Sequence, residues 1–257
     1  VNKIVFFTVL VILLYLVEIF FPLRKRGLTK KLFVHGLVNI LIIGLGTILV
    51  KGINLLIAFY AIDVFSNSNS LVSYLGVNGL TASIVTIILF DFLIWLQHLL
   101  SHHIPLFWRF HRVHHCDRFL DTTSGLRFHP IEIAASMLLK LVLIYFIGIN
   151  KQDFLIFEMI LTGFALFNHS NIKLPDSLDK LLSYFIVTPN VHQVHHSTKP
   201  HETNSNFGFN IVIWDRVFGT YTDYFKVVEN LEIGLEGVSS DKANSLSFLL
   251  LWPLSRK

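Results

Sequence analysis

The sequence predicts an all-α fold, a polytopic membrane helical bundle of about four to five transmembrane helices with a cytosolic His-rich cap. Three observations predict it. The chain is 53% apolar and only 15% charged, with mean hydropathy +0.61, whereas a soluble domain carries roughly 25% charge. Apolar runs of about span length recur along it. Its 13 His in 257 residues include HRVHH at His111–His115 and HQVHH at His192–His196, with His98 and His102 upstream.

Residues 4–21 are nearly all apolar and long enough to cross a bilayer. Five basic residues follow between Arg24 and Lys31. A signal peptide carries its charge before the apolar run, so this reads as an uncleaved span ending in the cytoplasm. Glu18 lies close enough to the end of that span to reach the interface. Residues 32–50 form a second apolar stretch, extended by 52–65. The uncharged, polar segment SNSNSLVSYLGVNG reads as a loop on the other side of the membrane. Residues 80–97 make a third span that runs into His98. Residues 131–149 and 153–170 read as a helical hairpin broken at Gly148, Asn150 and Lys151, and a last apolar patch covers 246–254. This alternation puts every His motif on the cytoplasmic side. The expected division is 1–79 for the N-terminal spans and loop, 80–225 for a catalytic domain, and 226–257 for a tail.

Composition alone predicts about 0.03 copies of HxxHH, and the chain has two. On a helix, positions i, i+3 and i+4 share a face, so each motif projects three imidazoles one way. His98 and His102 share a face as well. Clustered neutral imidazoles suit Zn, Fe, Cu or Ni, and eight of them exceed what one ion can use, so two metal ions are the simpler reading. Pro105 and Pro189 each sit at a helix start just before a motif. His103 is off the His98/His102 face and reads as a non-ligand. His169, at the end of the last span, is a candidate ninth ligand. His129 is a further candidate, as a ligand, a supporting group or a headgroup contact. His35 reads as structural and His201 as supporting at most. Asp91, seven residues before His98, is an acid inside a span, and is expected to accept the free N–H of a ligating His. Trp108 and Phe110 read as interfacial anchors. Arg109 and Arg112, with Arg118 and Arg127, read as headgroup contacts.

A single cysteine, Cys116, excludes a disulfide framework and a Cys-rich metal site. The net charge of +4 reads as topology and headgroup contact rather than nucleic-acid binding. A metal-transport protein would place its polar ligands at mid-bilayer. A zinc hydrolase would use three protein ligands and a Glu base, and no Glu lies within the His motifs.

From Asp91 to about Tyr221 the chain resembles the fatty acid hydroxylase/sterol desaturase superfamily of membrane di-iron oxygenases. DFLIWLQHLLSHHIPLFWRFHRVHH resembles the first two His boxes with their connector. FNHSN and TPNVHQVHHS resemble the late ligand region, and NSNFGFNIVIWDRVFGTY the segment after it. The resemblance implies two irons held by His98, His102, His111, His114, His115, His192, His195 and His196, joined by His169. It implies O2 as co-substrate and a lipid substrate of the sterol, fatty acyl, ether lipid or carotenoid class, hydroxylated or desaturated. The chain shows no GxGxxG fingerprint and no cytochrome b5-like segment. A separate reductase, ferredoxin or cytochrome b5-type protein is therefore the expected electron donor. The expected location is a bacterial inner membrane or the endoplasmic reticulum.

Overall fold

The computed structural model describes residues 3–27, 29–59, 69–227 and 231–255. Val1, the end of the second apolar stretch and the start of the polar loop lie outside the described residues. The long helices are α1 (Lys3–Phe20), α2 (Lys30–Phe59), α4 (Gly79–His103), α6 (Pro130–Ile147) and α7 (Lys151–Asn168), with a short α3 (Leu71–Leu75) in the polar loop. The cap is built from short helices: α5 (Pro105–His115), α8 (Asp176–Leu182), α9 (Pro189–His195), α10 (Pro200–Thr203), α11 (Ile213–Val217), α12 (Ser240–Ala243) and α13 (Leu246–Leu251). Among the described residues there is no β-sheet, only isolated bridges.

Three helices are long and apolar enough to cross a membrane, over Lys30–Leu55, Gly79–His103 and Pro130–Ile147. Less than a third of each is buried within the protein, as expected where lipid covers the rest. The apolar α1 packs on α7, where Leu10 meets Gly163. The α6–α7 hairpin turns where the sequence breaks: Gly148 takes φ +84° as the C-cap of α6, and Asn150 caps α7 through the Asp153 N–H. Phe90, Ile94, Ile144, Ile147, Phe154 and Phe157 fill the space between α4 and this turn.

The other end of the bundle is held by buried polar groups. Glu18 does not reach out to the interface. Its Oε1 accepts from the Thr122 N–H, the Thr122 hydroxyl and the Asn171 N–H, each at 2.7 Å. The turn at Thr122–Leu126 packs so tightly on α7 that a Cβ on Gly125 would meet the Ala165 carbonyl at 2.6 Å. Asp117 accepts from His35 Nε2 at 2.8 Å and from the Ser124 hydroxyl at 2.6 Å, and lies 3.5 Å from Arg127 Nε. Burial works to raise the Asp117 carboxyl, but the charges of Arg127 and His35 outweigh it and hold it well below the usual range. His35 thus has the structural place expected of it.

The four arginines read as headgroup contacts also bond within the protein. Arg109 donates to the Pro253 and Ser255 carbonyls and Arg112 to that of Trp252, while Arg118 donates to those of Leu235 and Val238. Arg127 is fully buried, donating to Asn39 Oδ1 and the Ala243 carbonyl. Guanidinium groups have five donors, and the returning C-terminal segment supplies carbonyls to all four. The apolar side of that segment joins Val38, Ile42, Val113 and Leu249 in one core.

Replacing Asp117 with Ala strands two buried cations, and a broken buried pair costs about 3–5 kcal/mol. The expected result is a clearly lower thermal unfolding midpoint in detergent, and an unchanged midpoint would remove this network from the account of the fold.

Candidate metal centre

Nine imidazoles converge at the end of the bundle where α4, α5, α9 and the C-cap of α7 meet. They form two groups. His98, His102, His111, His115 and His195 make the first, and His114, His169, His192 and His196 the second; within each, candidate ligand atoms lie within 4.8 Å of one another. All but His102 are buried.

Helix geometry explains the division. Relative to position i, position i+4 is rotated by about 40° one way and i+3 by about 60° the other. On α5, His111 and His115 therefore point to the first group and His114 to the second. On α9 the assignment is reversed, with His192 and His196 in the second group and His195 in the first. The three imidazoles of a motif share a broad face, as expected, but they straddle it and serve both groups.

Behind the rings stands a shell of oxygen acceptors. Nδ1 donates to the Phe207 carbonyl from His98 (2.7 Å), to that of Arg127 from His114 (3.2 Å) and to that of Ala165 from His169 (2.6 Å). His195 donates to the Ser205 carbonyl at 2.7 Å, His111 to Glu132 Oε1 at 2.6 Å, and His102 to Asn204 Oδ1 at 3.3 Å. An acceptor behind Nδ1 fixes the proton there and leaves Nε2 a bare lone pair. His98 and His111 then face each other Nε2 to Nε2 at 3.1 Å, and His114 and His169 do so at 3.0 Å. Two lone pairs at that distance repel, and neither can donate. Nε2 of His102, His195 and His196 has no hydrogen-bond partner among the described residues. A cation accepting these lone pairs satisfies all of them together, so the donor set fits bound metal. Burial pushes His114, His115, His192, His195 and His196 well below the usual imidazole range and His169 down to about 4, with neighbouring imidazoles adding to the shift in the first five. The rings are therefore neutral and available as ligands.

Asp91 does not touch a His, which corrects the sequence expectation. Seven residues are about 10.5 Å along a helix, so sharing a face with His98 does not bring contact. Asp91 instead accepts from Asn210 Nδ2 at 2.6 Å and Trp214 Nε1 at 2.7 Å. His129 is outside both groups: its Nδ1 accepts the Ile131 N–H as N-cap of α6, and its Nε2 donates to the Leu250 carbonyl. A ring with both nitrogens engaged has none for a metal. His103 is exposed and donates to the Leu99 carbonyl, and His201 is an exposed neighbour of Glu202.

Sequence reasoning missed Glu132 and the acceptor segment 204–207. Glu132 is two residues past Pro130, the first residue of α6, and no local spacing signals that it faces His111. Asp215 holds the acceptor segment, taking the Phe207 and Gly208 N–H groups at 2.9 and 2.8 Å and the Trp95 indole at 3.0 Å. Asn206, at φ +53°, ties the same segment to Val191 and Thr222. A cavity of about 300 Å³ between α2, α4, α6 and α7 opens onto His98, His111 and Glu132.

A model of the fatty acid hydroxylase family matches residues 83–220. Ornithine lipid hydroxylase OlsE of Rhizobium tropici is 30% identical over 175 residues, 68% of this chain and 50% of that protein. The alkylglycerol monooxygenase of Caenorhabditis elegans is 28% identical over 131 residues, 51% of this chain and 25% of that protein. The human alkylglycerol monooxygenase is 24% identical over 136 residues, 51% of this chain and 28% of that protein. The chain thus spans half of the first relative's length and about a quarter of the others'. No solved structure matches it.

Depressed imidazole pKa values make the metal-free protein acid-sensitive. The unfolded chain takes up protons near pH 6.5 while the folded cluster does not, so stability is present above that pH and falls as pH drops below it. The unfolding midpoint of metal-stripped protein is expected to fall between pH 7.5 and 5.5, and a flat profile would contradict a neutral cluster. Glu132→Gln keeps the shape but can present an N–H to His111 Nδ1. It is expected to weaken metal binding about 10–100-fold, the usual effect of losing a ligand's supporting partner, as measured by competition with a chelator.

Proposed function

The chain belongs to the fatty acid hydroxylase family, and from that membership we propose that it is a lipid hydroxylase that holds two iron ions in its paired imidazole groups. The observation that carries this reading is the facing of Nε2 lone pairs at 3.0–3.1 Å in both groups. Such a contact is favourable only around a cation. The relatives' names, a lipid hydroxylase and a monooxygenase, support the reaction class. An all-imidazole donor set without thiolates suits iron among the transition metals, as it does zinc or copper, and family membership supports iron.

His98, His102, His111, His115 and His195 would hold one ion, and His114, His169, His192 and His196 the other. When bound, the metal pair supplies the O2 chemistry needed to oxidise an unactivated C–H bond. The balance is C–H plus O2, two electrons and two protons, giving C–OH and water. The electrons come from a separate reductase, ferredoxin or cytochrome b5-type protein.

The chain's own residues position and shield. Each Nδ1 acceptor fixes the ring whose Nε2 points into the cluster, so the ligands keep their geometry without reorganisation. Glu132 anchors His111 and faces the cavity. Phe128 stacks on His114, with ring centroids 4.4 Å apart, and Trp108 packs on His102 and His115, excluding water. The cavity between the spans receives the lipid from the bilayer, which keeps the reacting carbon in a dry site.

The His end faces the cytoplasm in this reading. Arg24 and Arg26 lie at that end, where Arg26 donates to the Phe119 and Leu120 carbonyls, and basic flanks stay cytoplasmic.

Purified protein is expected to carry about two irons per chain and, given O2 and a reductant, to yield a lipid heavier by one oxygen. His111→Ala, His114→Ala and His115→Ala are each expected to abolish product while membrane insertion persists. A single tightly held zinc, or product from all three variants, would overturn the reading.

A further inference from the structure

The cavity below the imidazoles is not lined by hydrocarbon alone. At its far end Lys140 Nζ, on α6, pairs with Glu158 Oε1, on α7, at 2.7 Å, and both side chains line the cavity. Each is the middle of an 18-residue helix, about 15 Å from the His end. Halfway along the wall, the Ser136 hydroxyl donates to Gln97 Oε1 at 3.1 Å, and both residues line the cavity too. Beyond the ion pair, Ile144, Ile147, Phe154 and Phe157 close the space. Lys140 lies eight residues past Glu132, so the pair is about 12 Å from the His111–Glu132 contact.

Ionised groups at mid-bilayer are costly and are kept where they do work. A plain hydrocarbon chain against this pair would leave the lone pairs of Glu158 and the N–H groups of Lys140 partly unsatisfied. A group with net charge would compensate one ion and oppose the other. A group with no net charge that both donates and accepts hydrogen bonds satisfies both.

We propose that Lys140 and Glu158 are specificity-determining residues of the cavity. They select lipids that carry a net-neutral hydrogen-bonding group (hydroxyl, amide or zwitterion) about 12 Å from the carbon presented to the imidazoles. That span is roughly ten bonds of extended chain. The proposal rests on the hydroxylase reading for what the cavity holds.

The test is equilibrium binding of two probes, methyl stearate and methyl 12-hydroxystearate, to the full chain in phosphatidylcholine nanodiscs without reductant. They differ only in a hydroxyl on the carbon about ten bonds from C2, the hydrogen-bearing carbon beside the ester. Wild-type protein is expected to bind the hydroxylated probe at least about fivefold tighter. Lys140→Met with Glu158→Gln is expected to reduce that ratio below about twofold, with iron content unchanged. Equal binding of both probes by the wild type overturns the proposal without any variant, and so does an unchanged ratio in the double variant. Binding is read without turnover, so failure to hydroxylate any lipid would count against the hydroxylase reading alone.

Discussion

A neutral imidazole has one proton and one lone pair, and in this protein the proton's place is decided outside the cluster. Oxygen acceptors stand behind six of the nine rings: the Phe207, Arg127, Ala165 and Ser205 carbonyls, Glu132 and Asn204. Each takes the Nδ1 proton and turns Nε2 inward as a bare acceptor. Bringing such acceptors to 3.0–3.1 Å costs free energy in the metal-free protein. The rest of the structure is arranged to hold them there.

The holding is done in layers. The acceptor segment around Phe207 is clamped by Asp215 and by Asn206, and it is tied to α4 through Asp91, Asn210 and Trp214. The carbonyl of Arg127 is steadied because the Arg127 side chain is buried against Asp117, Asn39 and Ala243. That ties His114 on α5 to α2 and to the C-terminal segment. Gly125 lets the turn before Arg127 approach the backbone at Ala165, the acceptor for His169. Charged groups that look anomalous in an apolar chain are therefore the braces of the site, and Glu18 belongs with them.

Much of the bundle was legible in the sequence because helices in lipid must satisfy their own backbone and expose apolar side chains. Run length and the breaks at Gly148 and Asn150 were enough to place α6 and α7. His periodicity named eight of the nine rings, since repeated spacing survives without knowledge of neighbours, and the ninth, His169, was marked by its place at a span end. The reading failed where a side chain's partner is distant in sequence. Asp91 and His98 share a face but not a contact, and the bonds of the arginines to carbonyls at residues 235–255 leave no local trace. His129 has the residue type of a ligand but the position of a cap.

The sequence by itself determined the all-helical class, the apolar spans and the clustering of imidazoles at one end, because these follow from local composition and helical period. Only the tertiary structure decided how the motifs divide between two groups, which oxygens fix six of the rings, and that Glu132, Lys140 and Glu158 share one cavity with His98 and His111. Those facts depend on distances between elements up to 109 residues apart, as for His98 and the Phe207 carbonyl. Such distances are set by packing, which no local spacing encodes.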